Sequence, residues 1–182
     1  MTSLIVDYLG EEAPGQLVNL SLMFIGWNIL NYVVMSLDLG DKHLSREDFL
    51  DLRNRIVSVV HGVVSLCLAA YNTYFQHSPC GAPNTKFEEL TLTFSASYFL
   101  YDFVAMGYYG ILDSSMTIHH NICFFGMTMS VLSQQSANSL VAALFVSEIS
   151  NPAMHIRMVL KHLGKRYTKA YECAELTYIR KI

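Results

Sequence analysis

Charge is what this sequence has least of. Only 15% of its 182 residues are Asp, Glu, Lys or Arg, and 52% are hydrophobic. A soluble domain carries about a quarter charged residues, so the composition excludes an ordinary soluble fold and indicates an integral membrane protein. The net charge is −3 and the basic residues form no aromatic-interleaved patch, which excludes nucleic acid as a partner. Cysteine is scarce as well. Cys67, Cys80, Cys123 and Cys173 make no CxxC pair, and three of them lie in or beside helical segments, so they read as free thiols. The first fifteen residues hold Asp7, Glu11 and Glu12 but no Lys or Arg, opposite to the start of a signal peptide or basic presequence. The first hydrophobic segment is therefore expected to be retained.

What is present is a series of long apolar runs. Crossing the hydrocarbon takes about 20 apolar residues in a helix. Runs over 16–37, 56–75, 90–112 and 117–133 meet that need, and a fifth over 138–160 is interrupted by Glu148, Pro152 and His155. Loop signals separate them: DLGDKHLSRED, HSPCGAPNT, LDSS and QQSAN. The expected fold is all-α, a multi-pass transmembrane helical bundle of about five spans. Five spans alternate sides, and basic residues should collect on the inner one. With the N-terminus outside, the inner segments hold Lys42, Arg46, Arg53 and Arg55, then Arg157, Lys161, Lys165, Arg166, Lys169, Arg180 and Lys181; the outer segments hold only Lys86. Three regions are expected: an outer N-terminal segment over 1–15, the membrane domain over 16–165, and a basic amphipathic tail over 166–182.

Several ionisable residues fall within these runs, where they are costly and point to function. His61 lies about 9 Å in from Arg55 at 1.5 Å per residue, Asp102 near the midplane, His119 and His120 a few residues inside the boundary, Glu148 at mid-depth and His155 further inward. Each helix has one polar face by helical spacing: Ser58, His61, Ser65 and Asn72; Ser95, Tyr98, Asp102 and Tyr109; His119, Cys123, Gly126 and Ser130; Glu148, Asn151 and His155. Small and hydroxylated residues on such faces also serve as packing surface between helices. A buried cluster of His61, Asp102, His119, Glu148 and His155 is expected. His120 points about 100° away from His119, onto a face continuing through Phe124, Met127 and Val131, and is read as either reaching the interface or taking a chemical role. Arg53, Arg55, Arg157 and Lys161 are assigned to topology and to acidic lipid head groups. Adjacent histidines do not readily reach one metal from a regular helix, and no multi-histidine cluster of the membrane di-iron type is present, so no metal is expected.

The stretches RIVSVVHG, SYFLYDF, Asp113 with the His119–His120 pair, and SEISNPAMHIR occur in an order that resembles the TLC-domain family, which includes the ceramide synthases. The resemblance spans roughly residues 16–165. It implies a barrel-like bundle around a long apolar cavity, with phospholipid or acyl-CoA as the candidate ligand. Carried over from the synthases, His119 or His120 would be base or acyl-accepting nucleophile, and Asp102 would orient the imidazole. The fifth span departs from the synthase pattern: FVSEISNPAMHIR has Glu148 and no aspartate pair, which places the chain with the non-synthase branch. The family pattern usually continues through a further spanning helix, which leaves the expected barrel open on one side. The resulting expectation is a lipid- or acyl-chain-binding membrane protein, with two alternatives: an accessory subunit held by other membrane chains, or a lipid acyltransferase. The resemblance implies the endoplasmic reticulum, with the mitochondrial inner membrane as the alternative.

Overall fold

The computed structural model describes residues 12–40, 43–76, 78–79 and 81–179. The sequence readings on Asp7, Glu11, Lys42, Cys80, Arg180 and Lys181 lie outside the described residues. Seven helices follow in order: α1 (Ala13–Ser36), α2 (Arg46–Phe75), α3 (Lys86–Tyr109), α4 (Ser114–Ser133), α5 (Ala137–Glu148), α6 (Asn151–His162) and α7 (Lys169–Ile179). The only pairing of β type among the described residues is a single bridge between Pro83 and Gln135. The protein is an all-α, multi-pass membrane bundle, in which α1 and α2 are each long and apolar enough to cross a bilayer.

The helix boundaries follow from local chemistry. Ser45 caps α2 by accepting the Asp48 N–H at 3.2 Å, with Glu47 and Asp48 in the first turn. A reciprocal box starts α3: the Thr85 hydroxyl accepts the Glu88 N–H at 3.2 Å and the Glu88 carboxylate accepts the Thr85 N–H at 2.8 Å. Gly110, at φ 75°, ends α3 in the left-handed conformation that glycine adopts without strain. Asp113 caps α4 through the Met116 N–H at 2.8 Å. The expected fifth span is resolved as two helices, α5 and α6, separated by Ile149 and Ser150, with Pro152 in the first turn of α6. Proline lacks an N–H and suits a helix start better than an interior, so the break falls where the sequence demands it.

Contacts at the two ends of the bundle give the order of passes. At one end, Gln16 near the start of α1 donates to Glu89 near the start of α3 at 2.6 Å, and Asn84 donates to the Ser130 carbonyl at the end of α4 at 2.8 Å. Asn138 of α5 donates to the Ser78 carbonyl just beyond α2 at the same end. At the other end, Arg53 near the start of α2 donates to Val34 and Leu37 at the end of α1, and Asn31 donates to Tyr109 at the end of α3 at 2.6 Å. His162 at the end of α6 meets Asp51 of α2 at 2.9 Å there too. The chain thus traverses the bundle five times, with α5 and α6 together making the fifth pass.

Packing is concentrated on α2 and α3. Leu52, Val57, Ala69, Leu92, Ala96 and Tyr101 are almost fully buried, and small residues such as Ser58, Ser65, Ser95 and Ser97 let backbones approach closely. Trp27 of α1 enters this core edge-on to Tyr98 at 5.3 Å and donates its indole N–H to Ser97 at 3.1 Å. Leu22, Ile25 and Ile29 of α1 and Ile118, Ile122 and Phe125 of α4 face outward, the surface a bilayer covers.

Candidate functional site

Asp102 sits in the third quarter of α3 and is 4% exposed. One carboxyl oxygen, Oδ1, accepts from the Asn54 amide of α2 at 2.7 Å, and the other lies 2.6 Å from His120 Nε2 of α4. His120 Nδ1 is 2.7 Å from the Met116 carbonyl, one turn earlier on its own helix. A carbonyl only accepts, so Nδ1 carries a proton. The proton between Nε2 and Oδ2 then resides on one or the other, and either placement satisfies both groups. Tyr101 donates to Asn54 Oδ1 at 3.4 Å, and Tyr98 donates to Ser58 at 2.9 Å, so three helices are tied by one polar network.

This corrects the expected cluster in one position. His119 is exposed, and the partner of Asp102 is its neighbour His120, 4% exposed. The cause is the 100° turn per residue together with the face that α4 presents to α3. That face is His120, Met127 and Val131, on the side the sequence marks as apolar, joined by Ser130, the one buried member of the row His119, Cys123, Gly126 and Ser130. His119 keeps an edge contact with Phe99, ring centroids 5.6 Å apart.

His61 is buried as expected, at 2% exposure, and stacks on Tyr98 with centroids 3.8 Å apart and planes 7° apart. Phe99 joins the two histidine environments, lying 5.6 Å from His61 and 5.7 Å from His120. His61 Nε2 is buried with no hydrogen-bond partner among the described residues. Beside it, Gly62 brings α2 against the α5–α6 break: a Cβ there would stand 3.2 Å from Glu148 Oε2 and 3.1 Å from Pro152 Cγ. Glu148, 3% exposed, also accepts from Asn151 at 3.2 Å. His155, one turn beyond Pro152, is half-buried, and its Nδ1 likewise has no partner among the described residues. Asp102 and Glu148 thus both lie against α2, at Asn54 and at Gly62, on either side of His61 in sequence.

The basic residues divide into different roles. Arg53 does not face head groups: it is 1% exposed, donates to the Val34 and Leu37 carbonyls at 2.6 and 2.7 Å, and lies over the Phe49 ring at 4.8 Å. It adds a second donor to the Val34 carbonyl, which also accepts the Leu37 N–H at 3.3 Å, supplies one to the Leu37 carbonyl just beyond α1, and complements the negative end of that helix dipole. Arg55 is paired with Asp51 at 2.7 Å, and Arg157 with Glu175 of α7 at 3.4 Å. Lys161 is exposed.

Asn54, Glu88 and Glu89 are among the buried polar residues that escaped the sequence reading. Asn54 continues the polar stripe of Ser58, His61 and Ser65 by one turn, and that spacing was its available signal. Glu88 and Glu89, 2% and 1% exposed, look like ordinary acidic residues of a first helical turn. A cavity of about 320 Å³ lies beside Glu88, at the end of the bundle remote from Arg53.

A sequence model of the TLC domain matches residues 51–179, from the first turns of α2 to the end of α7. No solved structure matches the chain. The matched region holds Asn54, His61, Asp102, His120, Glu148 and His155, and leaves α1 outside. Covering more than two thirds of the sequence, it establishes that this membrane protein belongs to the TLC-domain family.

Proposed function

We propose that the protein binds a lipid between its helices, with the lipid's polar group meeting His61 and His155 and its chain lying along apolar helix faces. The observation that carries this reading is the pair of imidazole nitrogens, His61 Nε2 and His155 Nδ1, buried with no partner among the described residues near the Gly62 crossing of α2 and the α5–α6 break. An unsatisfied polar atom inside a membrane protein is costly. A ligand hydroxyl both donates and accepts, so it would satisfy an imidazole nitrogen in either tautomer. Family membership supports a lipid-related role at the coarser level.

The rival is acyl transfer, favoured by the 2.6 Å contact between His120 and Asp102, which resembles a base held by its orienting carboxyl. His120 has both nitrogens engaged, however, so serving as nucleophile or base requires breaking a bond to Met116 or Asp102. That arrangement suits a structural tie better than a reactive group. The test is to purify the protein in a mild detergent, quantify co-purifying lipid by native mass spectrometry, and supply long-chain acyl-CoA with an amine acceptor in parallel. Retained lipid, reduced several-fold by His61→Phe and by His155→Leu with no turnover, is expected. Turnover abolished by His120→Ala would establish the acyltransferase reading instead, and absence of retained lipid would defeat the binding reading.

A further inference from the structure

The cavity of about 320 Å³ lies at the end of the bundle where α2 finishes and α3 and α5 begin, away from the histidines. Its wall includes Asn72 and Thr73 of α2, Gln76 just beyond that helix, Glu88 of α3, and Asn138 and Ala142 of α5. That volume is at the small end of ligand sites, enough for a head group or a small solute.

The wall is rich in acceptors. Asn72, 3% exposed, commits its amide N–H groups to Thr91 at 2.9 Å and to the Leu68 carbonyl at 3.3 Å. Its Oδ1 is left buried with no partner among the described residues. Thr73 spends its hydroxyl proton on the Ala69 carbonyl at 2.8 Å, leaving oxygen lone pairs. Glu88, 2% exposed, has Oε2 bound by the Thr85 N–H, and its other oxygen has no partner among the described residues. Among the described residues, no Lys, Arg or His lines the cavity. An orphaned amide oxygen beside a buried carboxylate calls for a donor, and a positively charged one gains most from the pairing.

We infer that this cavity binds a small protonated amine through Glu88 and Asn72, either as a free solute or as a lipid head group. Glu88 supplies the charge, Asn72 Oδ1 a directional acceptor, and Ala142 the room.

The experiment follows the thermal unfolding midpoint of the full-length protein in two settings. Detergent-solubilised protein is titrated with ethanolamine, using glycerol as the neutral control. Separately, nanodiscs of phosphatidylcholine are compared with nanodiscs containing increasing phosphatidylethanolamine. A saturable rise in midpoint with the amine in either setting is expected. A response to free ethanolamine identifies a solute site, and a response to phosphatidylethanolamine alone identifies a head-group site. Glu88→Gln keeps an oxygen for the Thr85 N–H and removes only the charge, whereas Ala142→Trp fills the cavity without touching Glu88. Each should weaken half-saturation by at least about tenfold. No saturable response in either setting, an equal response to glycerol, or responses unchanged in both variants would overturn the assignment.

Discussion

Replacing Asp102 separates two views of the polar network, because the isosteric and the apolar substitutions should behave very differently. In Asp102→Asn the side-chain oxygen can still accept from Asn54, and the new NH₂ can donate to His120 Nε2, provided His120 is neutral with its proton on Nδ1. The Met116 carbonyl, 2.7 Å from Nδ1, already selects that tautomer. Both bonds of the network, at 2.7 and 2.6 Å, therefore survive in number and lose only their charge assistance. Charged hydrogen bonds contribute about 1.5–3 kcal/mol and neutral ones about 0.5–1.5, so the loss over two bonds is about 2 kcal/mol. Asp102→Leu has no such escape. It strands the Asn54 amide and His120 Nε2 where no water replaces the carboxylate, at about 1–3 kcal/mol each, so about 2–6 kcal/mol in all. Asp113→Asn, at the exposed cap of α4, should cost only a few tenths, since asparagine caps as well as aspartate. Titrating mixed micelles with sodium dodecyl sulfate and following unfolding by circular dichroism would rank the three. The reasoning is refuted if Asp102→Leu is no less stable than Asp102→Asn, or if Asp113→Asn is the most damaging.

Two further substitutions probe the helix crossings. Gly62→Ala places a Cβ 3.1 Å from Pro152 Cγ and 3.2 Å from Glu148 Oε2, so the α5–α6 break must shift by a few tenths of an ångström, and Gly62→Leu should cost about 1–3 kcal/mol as overpacking. A lower midpoint for leucine than for alanine in thermal unfolding checks this. Arg53→Met removes both donors from the Val34 and Leu37 carbonyls and should destabilise by about 2–5 kcal/mol, whereas loss of a mere head-group contact would change lipid dependence and leave the midpoint in detergent alone.

The passes were legible because five apolar runs were punctuated by turn residues, and the interruption of the last one was marked by Pro152. Asp102 and His61 were legible because an ionisable group on the small-residue face of a membrane helix has few other places to go. The choice between His119 and His120 was not. Adjacent residues on α4 differ by a rotation of about 100°, and only the packing of Phe99 and Asp102 against that helix decides which is inside. Arg53 illustrates the same limit at a boundary. A basic residue there suits head groups and helix ends equally, and the deciding fact is the position of the α1 carbonyls, contributed by residues 16 and 19 positions earlier.

The tail shows how a surface property read from sequence is absorbed within the chain. Its apolar stripe of Tyr171, Ala174 and Tyr178 suited an interfacial helix or a docking element for a neighbouring chain. In the structure α7 lies on α6, burying Tyr171 and Ala174, while the Arg157 guanidinium sits 3.4 Å from Glu175 and 5.4 Å above the Tyr178 ring. A partly exposed ion pair contributes little by itself, and the buried aromatic and the cation–ring contact add to it. The stripe is thus occupied by the protein's own sixth helix, and Arg157 acts between helices rather than on a head group. Any neighbour must then be sought along outward faces such as Leu22, Ile25 and Ile29 of α1 and Ile118, Ile122 and Phe125 of α4. Lipid tails cover large aliphatic side chains as well as another helix does, so exposure there gives no preference for a protein over the bilayer. The features that distinguish this chain from a generic bundle are instead interior: the Asp102–His120 tie, the two imidazole nitrogens without partners among the described residues, and the acceptor-lined cavity at Glu88. The tie is complete in itself, whereas the imidazole nitrogens and the cavity wall leave acceptors and donors that a small polar group would complement.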